Sequence, residues 1–244
     1  VASGLLYGKY EPHGYSIFFV TNRHVLQDVQ GLVILRFNPS QGGEAKEFEF
    51  PVTDDKGPLW VAHPKAEIDV AVVPLQAKIF RDAGIVPITL FRDDKDILFL
   101  DDIEAQNLCE GDGIFLLGFP MQLVGEGRNY AIVRSGGIAR IQDCLHERAY
   151  TFLVDASNFP GNSGGPVISK PEAASIGETK PVKSSKVIGI VSGYIPYQEV
   201  AVSKQTGRSR IIFEENSGLA IVAPMGLVRE TVELAQKTIR PLTC

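Results

Sequence analysis

The strongest constraint on the fold is the rhythm of the chain, in which short apolar or β-branched runs of strand length alternate with turn residues. Runs at 16–20, 70–73, 114–118, 131–133, 151–154, 187–191 and 211–213 have this character, and Phe48, Phe50 and Val52 alternate with polar neighbours. Asn38-Pro39, Lys56-Gly57-Pro58, Asp112-Gly113, Asn162 and Ser217-Gly218 punctuate them. β-Branched and aromatic side chains suit a pleated, half-buried surface, while Gly, Pro, Asn and Asp supply turn dihedrals. Many short strands with few helices between them build sandwiches or barrels rather than alternating β/α units. The exception is C-terminal. Pro224 is followed by Val228, Val232, Ala235 and Ile239, a one-faced stripe that predicts a helix over 225–239 packed on a barrel.

With 244 residues, 44% hydrophobic and 22% charged, the chain can bury a sizeable core and is not disordered or collagen-like. A net charge of −5 is the wrong sign for a duplex nucleic-acid binder. The longest apolar stretches, 113–119 and 16–20, fall far short of the ~18 residues of a membrane helix. No basic n-region followed by an apolar h-region opens the chain. A soluble protein with neither nucleic-acid nor membrane partners is expected. Cys109, Cys144 and Cys244 are too few for a disulfide framework and slightly favour a reducing compartment. No Cys/His cluster has metal-ligand spacing, so neither a metal nor a cofactor is expected. The stretch 92–104 carries six acidic residues against two basic ones and reads as a solvated connector between halves at 1–104 and 105–244. The polar stretch 169–186 reads as a surface loop open to proteolytic nicking.

One segment carries chemistry: Phe159-Pro160-Gly161-Asn162-Ser163-Gly164-Gly165-Pro166-Val167. Taken alone it fits a plain loop. It also fits a tight turn that exposes Ser163 Oγ while the amides of Gly161 and Ser163 converge to hold an oxyanion, Gly161 having no Cβ in the way. A hydroxyl needs a base within hydrogen-bond reach. Of the four histidines, His24 stands directly after an apolar strand, in Val20-Thr21-Asn22-Arg23-His24-Val25, whereas His13, His63 and His146 read as solvated loop histidines. An imidazole base needs a carboxylate to fix its tautomer. Asp69 leads into the apolar Val70-Ala71-Val72-Val73, where a lone charge is costly unless paired. By itself it also fits a strand-start residue bonded to a turn.

These segments, in the order His24, Asp69, Ser163, resemble the trypsin/chymotrypsin-like serine proteases (peptidase family S1), whose cores read TAAHC, DIAL and GDSGGP. The separations are 45 and 94 residues, typical of that family. The resemblance is closest to the disulfide-free bacterial Deg/HtrA-type branch, which reads TNAHV, DLAV and PGNSGGP. It implies an all-β fold of two six-stranded antiparallel β-barrels, with His24 and Asp69 on 1–104, Ser163 on 105–244, and a C-terminal α-helix. It also implies a serine endopeptidase with a catalytic triad acting on polypeptides without a cofactor. Val187-Ile188-Gly189-Ile190-Val191-Ser192-Gly193 resembles the strand lining the substrate cleft. Ser157 then stands at the base of the S1 pocket, Ser192, Gly193 and Tyr194 form its wall, and Ser192 hydrogen-bonds Asp69. A neutral Ser157 disfavours Lys or Arg at P1, and Tyr194, where the family often has Gly, narrows the pocket towards small or medium apolar residues.

The departures have consequences. Val25 replaces the family Cys and no Cys flanks Ser163, so the family disulfides are absent. Asn162 stands where zymogens have the Asp that pairs with a new N-terminal amine, so that switch does not operate. Only 23 residues precede His24, and no PDZ domain is expected within these 244 residues, which says nothing of a longer natural chain. The alternative from a different class is a trypsin-like fold used as a binding or scaffold module, and a non-peptidase acyl hydrolase is a further one.

Overall fold

In the computed structural model, which describes residues 1–55, 57–84, 90–106, 108–171 and 184–238, the N-terminal half grows from a hairpin. Strands β1 (Leu5–Glu11) and β2 (Gly14–Thr21) pair antiparallel, and a single helical turn, α1 (Arg23–Leu26), follows. A second hairpin joins β3 (Leu32–Phe37) to β4 (Lys46–Pro51). Two-residue strands β5 (Thr53–Asp54) and β6 (Gly57–Pro58) pair with each other, and β7 (Val61–Ala62) pairs with β8 (Ala71–Leu75). Helix α2 (Ala77–Asp82), β9 (Phe91–Arg92) and α3 (Leu100–Ala105) lead to the second half.

The main N-terminal sheet has the order β7-β8-β2-β1-β9, antiparallel except where β9 lies parallel to β1. All five residues of β8 are buried because it separates two cores. Val70 and Val72 face Leu5, Tyr7 and Val20, while Ala71, Val73 and Leu75 cluster with Leu35, Phe50 and Phe80. A strand buried on both faces reads as an unbroken apolar run, which is what the sequence shows here. The expected second closed barrel is not shown among the described residues. The β3–β4 hairpin makes no ladder with the main sheet and docks through side chains, Phe37 and Phe48 each meeting the Phe80 ring edge-on. Charged Lys46, Glu47 and Glu49 along β4 suit a strand that pairs with β3 on one side and leaves its other edge open.

The second half is a closed barrel. Strands β10 (Gly113–Gly118), β11 (Ile132–Arg140), β12 (Phe152–Asp155), β13 (Pro166–Ser169), β14 (Val187–Val202) and β15 (Ser209–Pro224) close in the order β10-β11-β12-β15-β14-β13. Ile114, Leu116, Ile138, Phe152, Val154 and Val222 fill it, with Cys144 of the short α4 (Gln142–Leu145) packed on them. The protein is therefore mostly β, with one six-stranded barrel and a C-terminal helix, α5 (Met225–Thr238). The helix stripe is present: Val228, Val232 and Ala235 are buried. It seals the seam between sheet and barrel, against Leu5, Tyr7, Val72 and Ile190, instead of lying on a barrel alone. Ile239 lies outside the described residues, as do Cys244 and most of the loop expected at 169–186.

The stretch 92–104 is not the solvated connector its charge suggested. Ile97, Leu98 and Ile103 are buried, and Leu98 N–H donates to Val187 O at 2.9 Å. Each buried aliphatic side chain contributes about 1.5–3 kcal/mol, while Asp101 and Asp102 between them stay exposed and Asp96 just before them pairs with Arg92 at 2.7 Å.

Candidate active site

Strand β2 ends at Thr21 and hands over to Asn22, Arg23 and His24. Asn22 is buried, and its Nδ2 donates to Asp69 O at 2.7 Å. The Arg23 guanidinium donates to the carbonyls of Ala66 (3.1 Å), Lys65 (3.2 Å) and His63. Both residues preceding His24 thus tie the end of β2 to the loop that enters β8, and that loop carries Asp69. His24 Nδ1 stands 2.6 Å from Asp69 Oδ2, and the His24 backbone N–H donates to Oδ1 at 3.0 Å. A carboxylate only accepts, so Nδ1 carries the proton and the Nε2 lone pair is left for a base. The hydrogen bond to Asp69 raises the His24 pKa above the ordinary histidine value, against the opposing effect of partial burial.

The glycine-rich turn packs directly on this element. Gly164 has φ +83°, and a Cβ there would strike the Ser3 carbonyl and Thr21. Gly161 has φ +104°, and a Cβ there would strike the Phe119 carbonyl. Only glycine satisfies both the dihedral and the contact. Gly164 N–H donates to Val191 O at 2.8 Å and Val191 N–H returns to Gly165 O at 2.9 Å, which joins the turn to β14. Ser163 is half-buried. Among the described residues, neither the Gly161 nor the Ser163 amide donates a hydrogen bond, and no bond joins Ser163 Oγ to His24.

The sequence did not point to the residue that holds this turn. Ser3 is buried, its N–H donates to Ser163 O at 2.9 Å, and its Oγ donates to Gly161 O at 2.7 Å. The same Oγ accepts from Phe119 N–H at 3.1 Å, and Ser3 O accepts from Thr21 Oγ1 at 2.9 Å. Four bonds from one small residue clamp the turn to β2 and β10. Asn162 is buried, and neither Nδ2 nor Oδ1 finds a partner, so no ion pair or side-chain bond from residue 162 anchors the turn. The Ala2-Ser3-Gly4 run of small residues ahead of β1 was the only sequence signal for close packing there.

The other expected site residues are arranged less uniformly. Ser157 is exposed. Its neighbour Asn158 is buried, with Nδ2 donating to Gly193 O at 2.9 Å and its carbonyl accepting from Asn216 Nδ2. Ser192 Oγ is buried without a partner, so the bond to Asp69 implied by the family is not formed. The Tyr194 hydroxyl donates to Glu214 at 3.1 Å across the β14–β15 pair. His13 and His146 are exposed, as expected. His63 is not: it is 2% exposed, its Nδ1 accepts from Lys65 N–H, and its Nε2 meets Glu230 of α5 at 3.1 Å. It is a satisfied core histidine, fixed where the helix crosses the β7–β8 loop.

The trypsin-like peptidase domain family matches this chain over residues 2–177. The chain belongs to that family. His24, Asp69 and Ser163 all fall within the matched stretch of the peptidase domain. Among solved structures, it is similar to the MamO protease domain from Magnetospirillum magneticum in its apo form, with 14% identity, 94% of this chain and 86% of that chain covered, and a TM-score of 0.49. It is also similar to an inactive serine-to-alanine mutant of Rv3671c from M. tuberculosis H37Rv, with 13% identity, 94% and 84% covered, and a TM-score of 0.40. No curated protein matches the chain. In the peptidase domain, a cavity of about 540 Å³ opens behind the turn, between Ser3, Phe119 and Phe37, and none of the three candidate catalytic residues lines it.

Proposed function

We propose that the protein is a serine endopeptidase that cleaves polypeptides through an acyl-enzyme, with His24, Asp69 and Ser163 as its triad. The observation that carries this reading is the two-point contact of Asp69 with His24, 2.6 Å to Nδ1 and 3.0 Å to the backbone N–H. In the proposed reaction Ser163 Oγ attacks the scissile carbonyl while His24 Nε2 takes its proton. The amides of Gly161 and Ser163 stabilise the oxyanion. The His24 imidazolium, held by Asp69, then protonates the leaving amine, and water hydrolyses the acyl-enzyme by the same route. Residues 1–104 supply base and carboxylate in this scheme and 105–244 the nucleophile. The first half takes the place of the family's first barrel with its β3–β4 hairpin docked rather than laddered.

Alignment of Ser163 with His24 belongs to substrate binding, since catalytic hydrogen bonds often tighten only in the complex. Ser157, Ser192, Gly193 and Tyr194 border the P1 side chain. With an uncharged Ser157 and Asn158 on its floor, the pocket favours small or medium apolar residues. Because Ser3 holds the turn and residue 162 carries no charge, no newly cut N-terminal amine is needed for activity. Ser163→Ala is expected to lower peptide turnover by several orders of magnitude with the melting temperature unchanged. Undiminished turnover in a clean preparation would overturn the mechanism. The reading as a binding module draws on the unformed Ser163–His24 bond and predicts instead that wild type and Ser163→Ala are equally inactive.

A further inference from the structure

Strands β14 and β15 continue well past the barrel. Among the described residues, 196–202 and 209–216 pair only with each other, forming a two-stranded ribbon whose outer edges have no ladder. Such a ribbon is marginal in water by itself, yet this one is strongly apolar: Tyr197, Ile211 and Phe213 are 53%, 55% and 53% exposed. Residues directly opposite in a ladder share a face. One face therefore reads, from barrel to tip, Tyr197 with Glu215, Glu199 with Phe213, Ala201 with Ile211, and then Ser203 with Arg208, joined by Ser203 N–H to Arg208 O at 2.9 Å. Acidic residues (Glu199, Glu214, Glu215) mark the barrel end of the ribbon, alongside Tyr197 and Phe213, and basic residues (Lys204, Arg208, Arg210) its tip, with Val200, Ala201, Ile211 and Ile212 between them.

We propose that this ribbon is a self-association surface, on which two copies of the chain pack face to face and antiparallel about a two-fold axis near the Ala201–Ile211 pair. The charge order changes sign about that pair, so the rotation brings Glu199 and Glu215 of each copy over the basic tip of the other. Ala201 and Ile211 of both copies meet in the middle, and Phe213 and Tyr197 of each lie beside the basic tip of the other. Parallel packing places acid on acid and base on base and is disfavoured by the same charges. An isologous contact of this kind closes at the dimer. The ribbon is ~25 Å long at ~3.3 Å per residue, and two such faces bury on the order of 1,000 Å², the lower end for specific interfaces. The dimer is accordingly concentration- and salt-dependent.

The test is sedimentation velocity of the purified protein over about a hundredfold concentration range spanning micromolar values. It uses the wild type, Glu199→Lys/Glu215→Lys, and Lys204→Glu/Arg208→Glu. These pairs leave Glu214, which braces Tyr194 and Gln198, in place. Wild type is expected to dimerise, each double variant alone to associate at least about tenfold more weakly, and an equimolar mixture of the two to recover dimer, because their ribbons are then complementary. Circular dichroism confirms folding, and fluorophosphonate labelling, whatever its rate, is expected to be the same in every variant, which separates this test from that of the catalytic reading. A wild type that stays monomeric throughout, or a mixture no more dimeric than its components, overturns the proposal. Binding of extended peptides to a monomeric ribbon without dimer overturns it equally.

Discussion

The nucleophile turn and the β14–β15 ribbon hang from the same strand, and both contain a left-handed glycine. The turn meets β14 at Val191, and the ribbon begins a few residues further on. At the turn every glycine Cα faces backbone: Gly161 against Phe119 O, Gly164 against Ser3 O, Gly165 against Leu117 O. At the ribbon tip Gly207 has φ +64° with nothing within 4 Å of a Cβ. The same residue type is required by surrounding structure in one place and by local dihedral alone in the other. The turn that carries the proposed chemistry is thus over-determined by its backbone surroundings, whereas the ribbon tip is constrained only locally.

The largest way to break the turn's function is to leave its backbone intact and remove the orienting carboxylate. Asp69→Asn is expected to reduce kcat by roughly 10⁴-fold with little change in fold, read by steady-state kinetics. The hydrogen bond that His24 donates to Asp69 raises the His24 pKa, and in the proposed mechanism His24 must be neutral to accept a proton. Wild-type kcat/KM therefore falls on acidification with a midpoint above the ordinary histidine value of about 6.5. In Asp69→Asn the residual activity shifts its midpoint to lower pH. The sign for stability is opposite. A pKa raised in the folded state stabilises fully below the unfolded pKa, and that contribution is lost as pH rises through the folded value. An unshifted profile in Asp69→Asn contradicts the pairing.

The next effect sharpens the contrast between the regions. Gly164→Ala combines left-handed strain with a clash against backbone and is expected to cost about 3 kcal/mol. Gly207→Ala meets only the dihedral penalty, about 1 kcal/mol. Chemical denaturation of the two variants checks the difference, and equal costs would remove the distinction. Ser3→Ala falls between the two glycine variants in stability, since it leaves Phe119 N–H and Gly161 O without partners at a cost of about 2 kcal/mol. If Ser3 positions the oxyanion turn, kcat falls about tenfold or more with KM nearly constant, and Ser3→Thr restores part of it. A loss of stability with kcat unchanged would assign Ser3 a purely structural role.

Much of this was legible in the sequence wherever a local pattern had a local cause. Strands β8, β10 and β14 were visible as apolar runs, and the helix stripe of Val228, Val232 and Ala235 was visible at its period. The candidate His24, Asp69 and Ser163 stood out because each sits in a short motif whose neighbours constrain it. What stayed hidden depends on long-range partners. Ser3 acquires its role only when β1 and β2 lie against a turn 158 residues away. His63 is buried only because α5 returns over the β7–β8 loop. The acidity of 92–104 masked Ile97, Leu98 and Ile103, since charge composition averages over a segment whose apolar residues reach two separate cores. The separation of the β3–β4 hairpin from the sheet is likewise a matter of ladder bonds that no single strand sequence encodes.

The most direct test of the central claim, that the Asp69–His24 pair activates Ser163 beside a formed oxyanion turn, is covalent labelling with a fluorophosphonate followed by mass spectrometry of the adduct. A serine without a base and an oxyanion site reacts negligibly with such a probe. Stoichiometric labelling of native protein at Ser163 alone is expected, lost in Ser163→Ala, strongly slowed in Asp69→Asn, and declining as His24 is protonated. Labelling that is absent from the native protein, or that falls on another serine, would contradict it.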